Sequence, residues 1–146
     1  MSGTAGAPVA CNQVVLDAPD YVLSMDPGMP PAAKGGTLVY GSYFLTRSIW
    51  YGQTGTDTPM GRAKVEVRDT WKSAEDLDTL EEDDSLEPTR YFTSTVTISG
   101  TTLTTTQSCP TVTPAQSFEY TAEGTTLTLY VIDQGEHFAQ VFERQD

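Results

Sequence analysis

The chain has 146 residues, 38% of them hydrophobic, and its twenty acidic against eight basic side chains give a net charge of -12. This length suits one domain with a real core, burying roughly 68–70% of the surface its unfolded chain exposes. No apolar run approaches the ~18 residues of a membrane-spanning helix, so no membrane insertion of the domain is expected. The acidity disfavours nucleic acid and anionic lipid as partners, because their phosphates would be repelled.

Met1 to Ala10 is a small-residue run ending before Cys11, "MSGTAGAPVAC", and resembles the cleavage site of a bacterial lipoprotein. It has neither the basic nor the apolar region that an export signal needs, so it reads as the stump left when a signal or linker was removed. Pro8, Pro19, Pro27, Pro30 and Pro31, with Gly28, Gly35 and Gly36, make residues 1–36 an irregular N-terminal arm. Within it, "NQVVLDA" and "DYVLS" are candidate short edge strands, or lie across one end of the body, anchored by Val14, Leu16, Tyr21 and Leu23. Cys11 and Cys109 are spaced for neither a CxxC motif nor a zinc knuckle. They are expected to form a disulfide that pins the arm to the body and places the protein in an oxidising compartment, secreted, periplasmic or surface-anchored. Two unrelated buried thiols are the alternative.

From Thr37 the texture changes to β-type runs separated by turn signals, the pattern of an antiparallel meander over 37–146. "TLVYGSYFLTRSIWYG" puts Tyr43, Leu45, Arg47, Ile49 and Tyr51 on one face and Phe44 and Trp50 on the other. "RAKVEVRDTW" sets Ala63, Val65, Val67 and Trp71 opposite Lys64, Glu66 and Arg68. "TRYFTSTVTISGTTLTTTQS" reads as two strands hinged at Ser99-Gly100, and "AQSFEYTAEGTTLTLYVIDQGEHFAQVFER" as three, hinged at Glu123-Gly124 and Gln134-Gly135. Seven strands result, or eight if the arm contributes one. With no helical stretch to cover a sheet, their apolar faces must bury against each other. Short hairpins favour an all-β, antiparallel up-and-down β-barrel over a Greek-key sandwich, which needs a long crossover.

"SAEDLDTLEEDDSLEP", residues 73–88, suggests calcium by its carboxylates but lacks the glycine and the ligand spacing of an EF-hand loop. The plainer reading is a solvated loop or one to two helical turns, with Ser73 as N-cap, Asp76 at the third position and Leu77 and Leu80 docked on the rim. His137 is the only histidine, which excludes a two-histidine metal site and fits a wall or rim position better than a catalytic one. No GxSxG elbow, phosphate-binding glycine loop or HExxH is present, and no catalytic residue, metal or cofactor is expected. Tyr43, Tyr51, Tyr91, Tyr120, Tyr130 and Arg47 fall on strands. Facing a lumen, they would give apolar walls a few polar anchors; as core or cross-strand pairs they would serve packing alone.

Gly41-Ser42-Tyr43 at the opening of the first long strand, Arg144 near the C-terminus, and the phrases Gly100-Thr101-Thr102-Leu103-Thr104 and Gly124-Thr125-Thr126-Leu127-Thr128 resemble the lipocalin-like domains of secreted or lipid-anchored bacterial proteins. The resemblance covers about residues 37–145, with Tyr43 where lipocalins carry tryptophan and without their C-terminal helix. It implies a cup closed where Tyr43 and Arg144 meet, with small apolar ligands entering at the opposite mouth.

The expectation is therefore a secreted or surface-tethered binding module for a small apolar molecule, lined by Tyr43, Leu45, Arg47, Ile49, Val65, Val67, Phe118 and Tyr120. A structural or protein-interaction domain with a filled core is the competing reading. An enzyme acting by pocket shape alone is a third and weaker one. One bulge would exchange the inward and outward residues beyond it.

Overall fold

The computed structural model describes residues 11–77 and 89–145. Among these residues the protein is all-β, with one sheet of nine strands: β1 (Tyr21–Asp26), β2 (Gly41–Tyr51), β3 (Thr58–Val67), β4 (Thr70–Leu77), β5 (Arg90–Ser99), β6 (Thr102–Cys109), β7 (Gln116–Glu123), β8 (Thr126–Asp133) and β9 (Glu136–Arg144). Strands β2 to β9 follow one another antiparallel in chain order, and β9 pairs back onto β2 from Tyr43↔Arg144 to Trp50↔Phe138, closing the sheet into a ring.

The hairpins arise where the turn chemistry allows them. Gly100-Thr101 and Gly124-Thr125 make two-residue connections, and at Gln134-Gly135 both residues have positive φ, 53° and 82°. That geometry matches the right-handed twist of the flanking strands. Arg68-Asp69 is also a two-residue connection, so the run expected as one strand from Arg62 to Trp71 is two, β3 and β4. This break, and β1, raise the expected seven or eight strands to nine.

The acidic stretch is corrected in the same way. Its first residues, 73–77, belong to strand β4, where Ser73 pairs with Val65 and Glu75 with Ala63, and Asp76 forms an ion pair with Arg62 at 2.7 Å. Ser73 is thus no helix N-cap. The calcium and rim-docking readings of 78–88 lie outside the described residues.

β1 enters the sheet as a wedge. β2 and β3 pair only from Gly41↔Val67 to Phe44↔Lys64, and beyond that point they part. β1 fills the gap, running parallel to β2 from Val22↔Arg47 to Asp26↔Tyr51 and antiparallel to β3 at Tyr21↔Gly61 and Leu23↔Thr58. It supplies backbone partners that both strands would otherwise lack.

The arm fastens to the outside of the ring before β1 and to its end after it. Cys11 is bonded to Cys109. Nearby, Asn12 Nδ2 donates to the carbonyls of Ser73 and Phe92, Asp17 pairs with Lys64 at 2.9 Å, and Val14 and Ala18 are buried, as is Ala74 of β4. Past β1, Lys34 N donates to Thr121 Oγ1, and Gly35 exchanges backbone hydrogen bonds with Tyr120 and Ala122. Gly36 takes φ +112°, and a Cβ there would strike the carbonyl oxygen of Ala122, so only glycine fits this crossing. Leu38 then packs on the core.

The disulfide joins residues 98 apart in sequence, so its loss should release a large unfolded-state loop. The Cys11→Ser/Cys109→Ser double variant is expected to lose about 4 kcal/mol of stability in urea titrations. A loss below about 1 kcal/mol would mean that the Asn12 and Asp17 contacts hold the arm unaided.

Candidate functional site

Register pairs place side chains on a common face of the sheet, and tracing them round the ring defines its interior. Tyr43, Leu45, Val65, Val67, Leu103, Tyr120, Leu127, Leu129 and Phe142 form one buried cluster, with Phe118 and Trp71 packed against it. Trp71 meets Phe142 edge-on, ring centroids 6.0 Å apart. This cluster fills the end of the ring at which the hairpins β3–β4, β5–β6 and β7–β8 turn and the arm crosses.

The two interior tyrosines hold that crossing. Tyr43 donates its hydroxyl to Val39 O at 2.5 Å, and Tyr120 donates to Gly36 O at 2.6 Å. Their polar tips are thus spent on the backbone of the arm, and they close the end rather than offering anchors to a ligand. Tyr43 and Arg144 are direct cross-strand partners in this region. One Arg144 guanidinium nitrogen, Nη1, is buried without a hydrogen-bond partner among the described residues.

Of the eight residues expected to line a lumen, six come together inside: Tyr43, Leu45, Val65, Val67, Phe118 and Tyr120. Arg47 and Ile49 do not. A register shift between Leu45 and Arg47 lets Leu45 face Phe142 while Arg47 faces Val141, so Thr46 is the extra residue of a bulge and the alternation reverses after it. Arg47 is exposed on the outer face and donates to Ser24 Oγ at 2.8 Å. Ile49 pairs with Ala139 on that same face. The bulge brings Trp50 round to the inner face, where it stacks on Phe138 with centroids 5.7 Å apart. Tyr91, paired with Ala74, faces outward, and so does Tyr130, opposite Ala139.

Beyond the packed cluster the interior is hollow. A cavity of about 330 Å³ lies between Trp71, Phe118, Leu129 and Phe142 on the packed side and Glu75, Phe92, Gln107 and Gln140 farther along. Its wall is mixed. Ser73, Ser94, Thr105, Gln116 and Gln140 line it, and none of their side chains has a hydrogen-bond partner among the described residues. Ser94 is only 7% exposed. Glu75 supplies the charge, with one carboxylate oxygen, Oε2, 3.3 Å from Arg90 Nη2. Burial pushes the Glu75 carboxyl above its ordinary range, Arg90 opposes this, and neighbouring Asp76 adds to it. Tyr21, whose partner Gly61 adjoins β4, has its phenol raised by burial and then by Glu75.

These polar wall residues were not among the expected lining. Their signal was present: Trp71, Ser73 and Glu75 alternate on the face of β4 that opposes Val67, Val65 and Ala63. Reading 73–88 as one loop hid it. Lys64 also borders the cavity, but its ammonium is engaged by Asp17 and lies 5.7 Å over the Phe44 ring.

A second concavity, about 360 Å³, sits outside the ring beneath Pro30, Pro31 and Ala33, against Tyr130, Ile132 and His137. His137 is therefore a wall residue of the outer groove. Among the described residues no group of three or more His, Cys, Asp or Glu side chains is placed to hold a metal ion.

Comparison of the chain with protein-family models, with curated proteins and with solved structures gives no match.

Because the folded state favours the protonated Glu75 carboxyl, the sign of its linkage is fixed: its contribution is full below the unfolded pKa and is lost as pH rises through the raised folded value. Wild type should lose stability relative to Glu75→Gln as pH climbs from the ordinary carboxylate value upward. Urea midpoints of both proteins over a pH series check this. A difference that stays flat, or grows in favour of wild type, would show that Arg90 dominates.

Proposed function

We propose that the ring is a lipocalin-like β-barrel and that the protein is a secreted or surface-tethered module binding one small molecule in the lumen. The observation that carries this reading is the cavity of about 330 Å³ that lies beyond the packed cluster and opens to solvent. Its volume falls at the lower end of the ~300–1,000 Å³ typical of ligand pockets. Aromatic side chains beside polar groups that lack protein partners are the usual make-up of such a pocket. The small, mainly apolar ligand expected from the sequence is refined by the wall: a molecule with an apolar body and hydrogen-bonding groups suits Ser94, Thr105 and Gln140. The Cys11–Cys109 disulfide is compatible with an extracytoplasmic location.

A second reading, a protein-interaction domain, has its own support. Val39, Tyr40 and Ile98 are 41%, 58% and 42% exposed. All three lie near the end crossed by the arm, and Tyr40 and Ile98 border a shallow concavity with Leu38 and Val96. Apolar surface of this kind often marks a partner contact.

Filling the cavity separates the two readings. A fluorescent dye such as an anilinonaphthalene sulfonate, or a ligand retained in native mass spectrometry, should bind the wild type. Binding should fall at least about tenfold in Ser94→Phe, a loss of about 1.4 kcal/mol, while the far-ultraviolet spectrum is unchanged. Binding that survives this substitution, or its absence from wild type altogether, removes the lumen reading.

A further inference from the structure

Among the described residues the cavity wall carries two charged side chains, Lys64 and Glu75, and the ammonium of Lys64 is spent on Asp17. Glu75 brings a carboxylate to it, one of whose oxygens faces Arg90 while the other has no partner among the described residues. The basic groups near it among the described residues are committed: Arg90 to Glu75 itself, the Lys64 ammonium to Asp17 and the Phe44 face, and the Arg62 guanidinium to Asp76 and Leu16 O on the outer surface. The remaining polar wall groups are hydroxyls and amides able to accept hydrogen bonds, and Ser94 among them is nearly buried.

We infer that the lumen takes a protonated amine carried on an aromatic or similarly flat apolar body, with the ammonium on Glu75 and the body among Trp71, Phe92, Phe118 and Phe142. The inference rests on the binding reading above and specifies its ligand class. A partly desolvated carboxylate is costly unless a cation compensates it, and a ligand ammonium would supply both the charge and the missing hydrogen bond. Aromatic faces also attract cations, whereas they and the carboxylate together disfavour an anionic ligand. The net charge of -12 acts at longer range in the same direction, concentrating small cations around the protein. Arg90 is the ammonium's natural competitor: its side chain is 47% exposed, so it can turn to solvent and release Glu75 when an ammonium arrives.

Isothermal titration with phenethylamine, phenethyl alcohol and hydrocinnamate, three ligands of nearly equal shape and different charge, tests the idea. The amine should bind at least about tenfold more tightly than the alcohol and the carboxylate weakest of all. Glu75→Gln should reduce the amine's preference over the alcohol to within about twofold. Arg90→Ala, which frees the second carboxylate oxygen without touching the wall, should tighten amine binding severalfold and leave the alcohol unaffected. Equal binding of amine and alcohol, or a preference that survives Glu75→Gln, overturns the amine assignment. If both neutral and charged ligands bind equally and Ser94→Phe abolishes both, the pocket stands and only the amine falls. If none of the three binds, the pocket reading falls with it.

Discussion

The pairing of β2 with β9 is the constraint on which the rest of the structure depends. Seven residue pairs, from Tyr43↔Arg144 to Trp50↔Phe138, turn a meander with two exposed edges into a ring with a shared interior. Without that ladder the apolar faces of β7, β8 and β9 would have no opposite wall, and Leu127, Leu129 and Phe142 could not meet Leu45 and Val65. β2 bears a double load here. It pairs with β9 along one edge and along the other passes from β3 to β1, because its ladder with β3 ends at Phe44↔Lys64. The wedge strand therefore belongs to the closure. It keeps the backbone of Arg47–Tyr51 paired where β3 has turned away.

Closure alone would leave two open ends, and the chain treats them differently. At one end the arm crosses on hydrogen bonds from two buried phenols, Tyr43 to Val39 O and Tyr120 to Gly36 O. Each bond satisfies both a hydroxyl that would be costly to bury alone and a carbonyl in an irregular segment. Behind them the side chains are packed solid. Toward the other end the same alternation delivers Ser73, Ser94, Thr105 and Gln140 instead of Leu and Val. Large apolar residues thus build a floor, and smaller polar ones leave a hollow above it.

How far the sequence discloses this depends on the kind of signal. Alternation and the Gly100, Gly124 and Gly135 turns reveal β5 to β9 almost residue by residue, since both are local properties. The closing pair Tyr43 and Arg144 is legible through the resemblance that places the first long strand beside the last. Three features are not local, and each misleads. The bulge at Thr46 leaves the β2 pattern looking regular, yet it sends Arg47 and Ile49 outward and Trp50 inward. β1 looks like an optional edge strand because nothing in "YVLSMD" states that β2 and β3 part company. The carboxylates after Asp76 make residues 73–88 look like one solvated loop, although Trp71-Lys72-Ser73-Ala74-Glu75 alternates as a strand should, with Ala74 fully buried under the arm. Charge density masked periodicity there, and with it the polar half of the cavity.

The departures from a simple inside-outside pattern are concentrated, and that concentration is itself informative. A ring of this size could fill its whole interior with apolar side chains, as it does around Leu103 and Val67, which are completely buried. Instead, hydroxyls, amides and one carboxylate occupy inward positions on β4, β5, β6, β7 and β9 at a single level of the ring. Their polar atoms open onto the hollow instead of being sealed in the core, where an unpartnered group costs roughly 1–3 kcal/mol. Natural sequences tolerate such local inconsistency chiefly where function requires it. The tyrosine-held crossing and the packed floor are placed away from that level, so stabilisation is supplied there while the hollow is left free of packing. Polar wall groups with no partner within the protein are left available to a solute, and this gives the cavity selectivity by chemistry as well as by size.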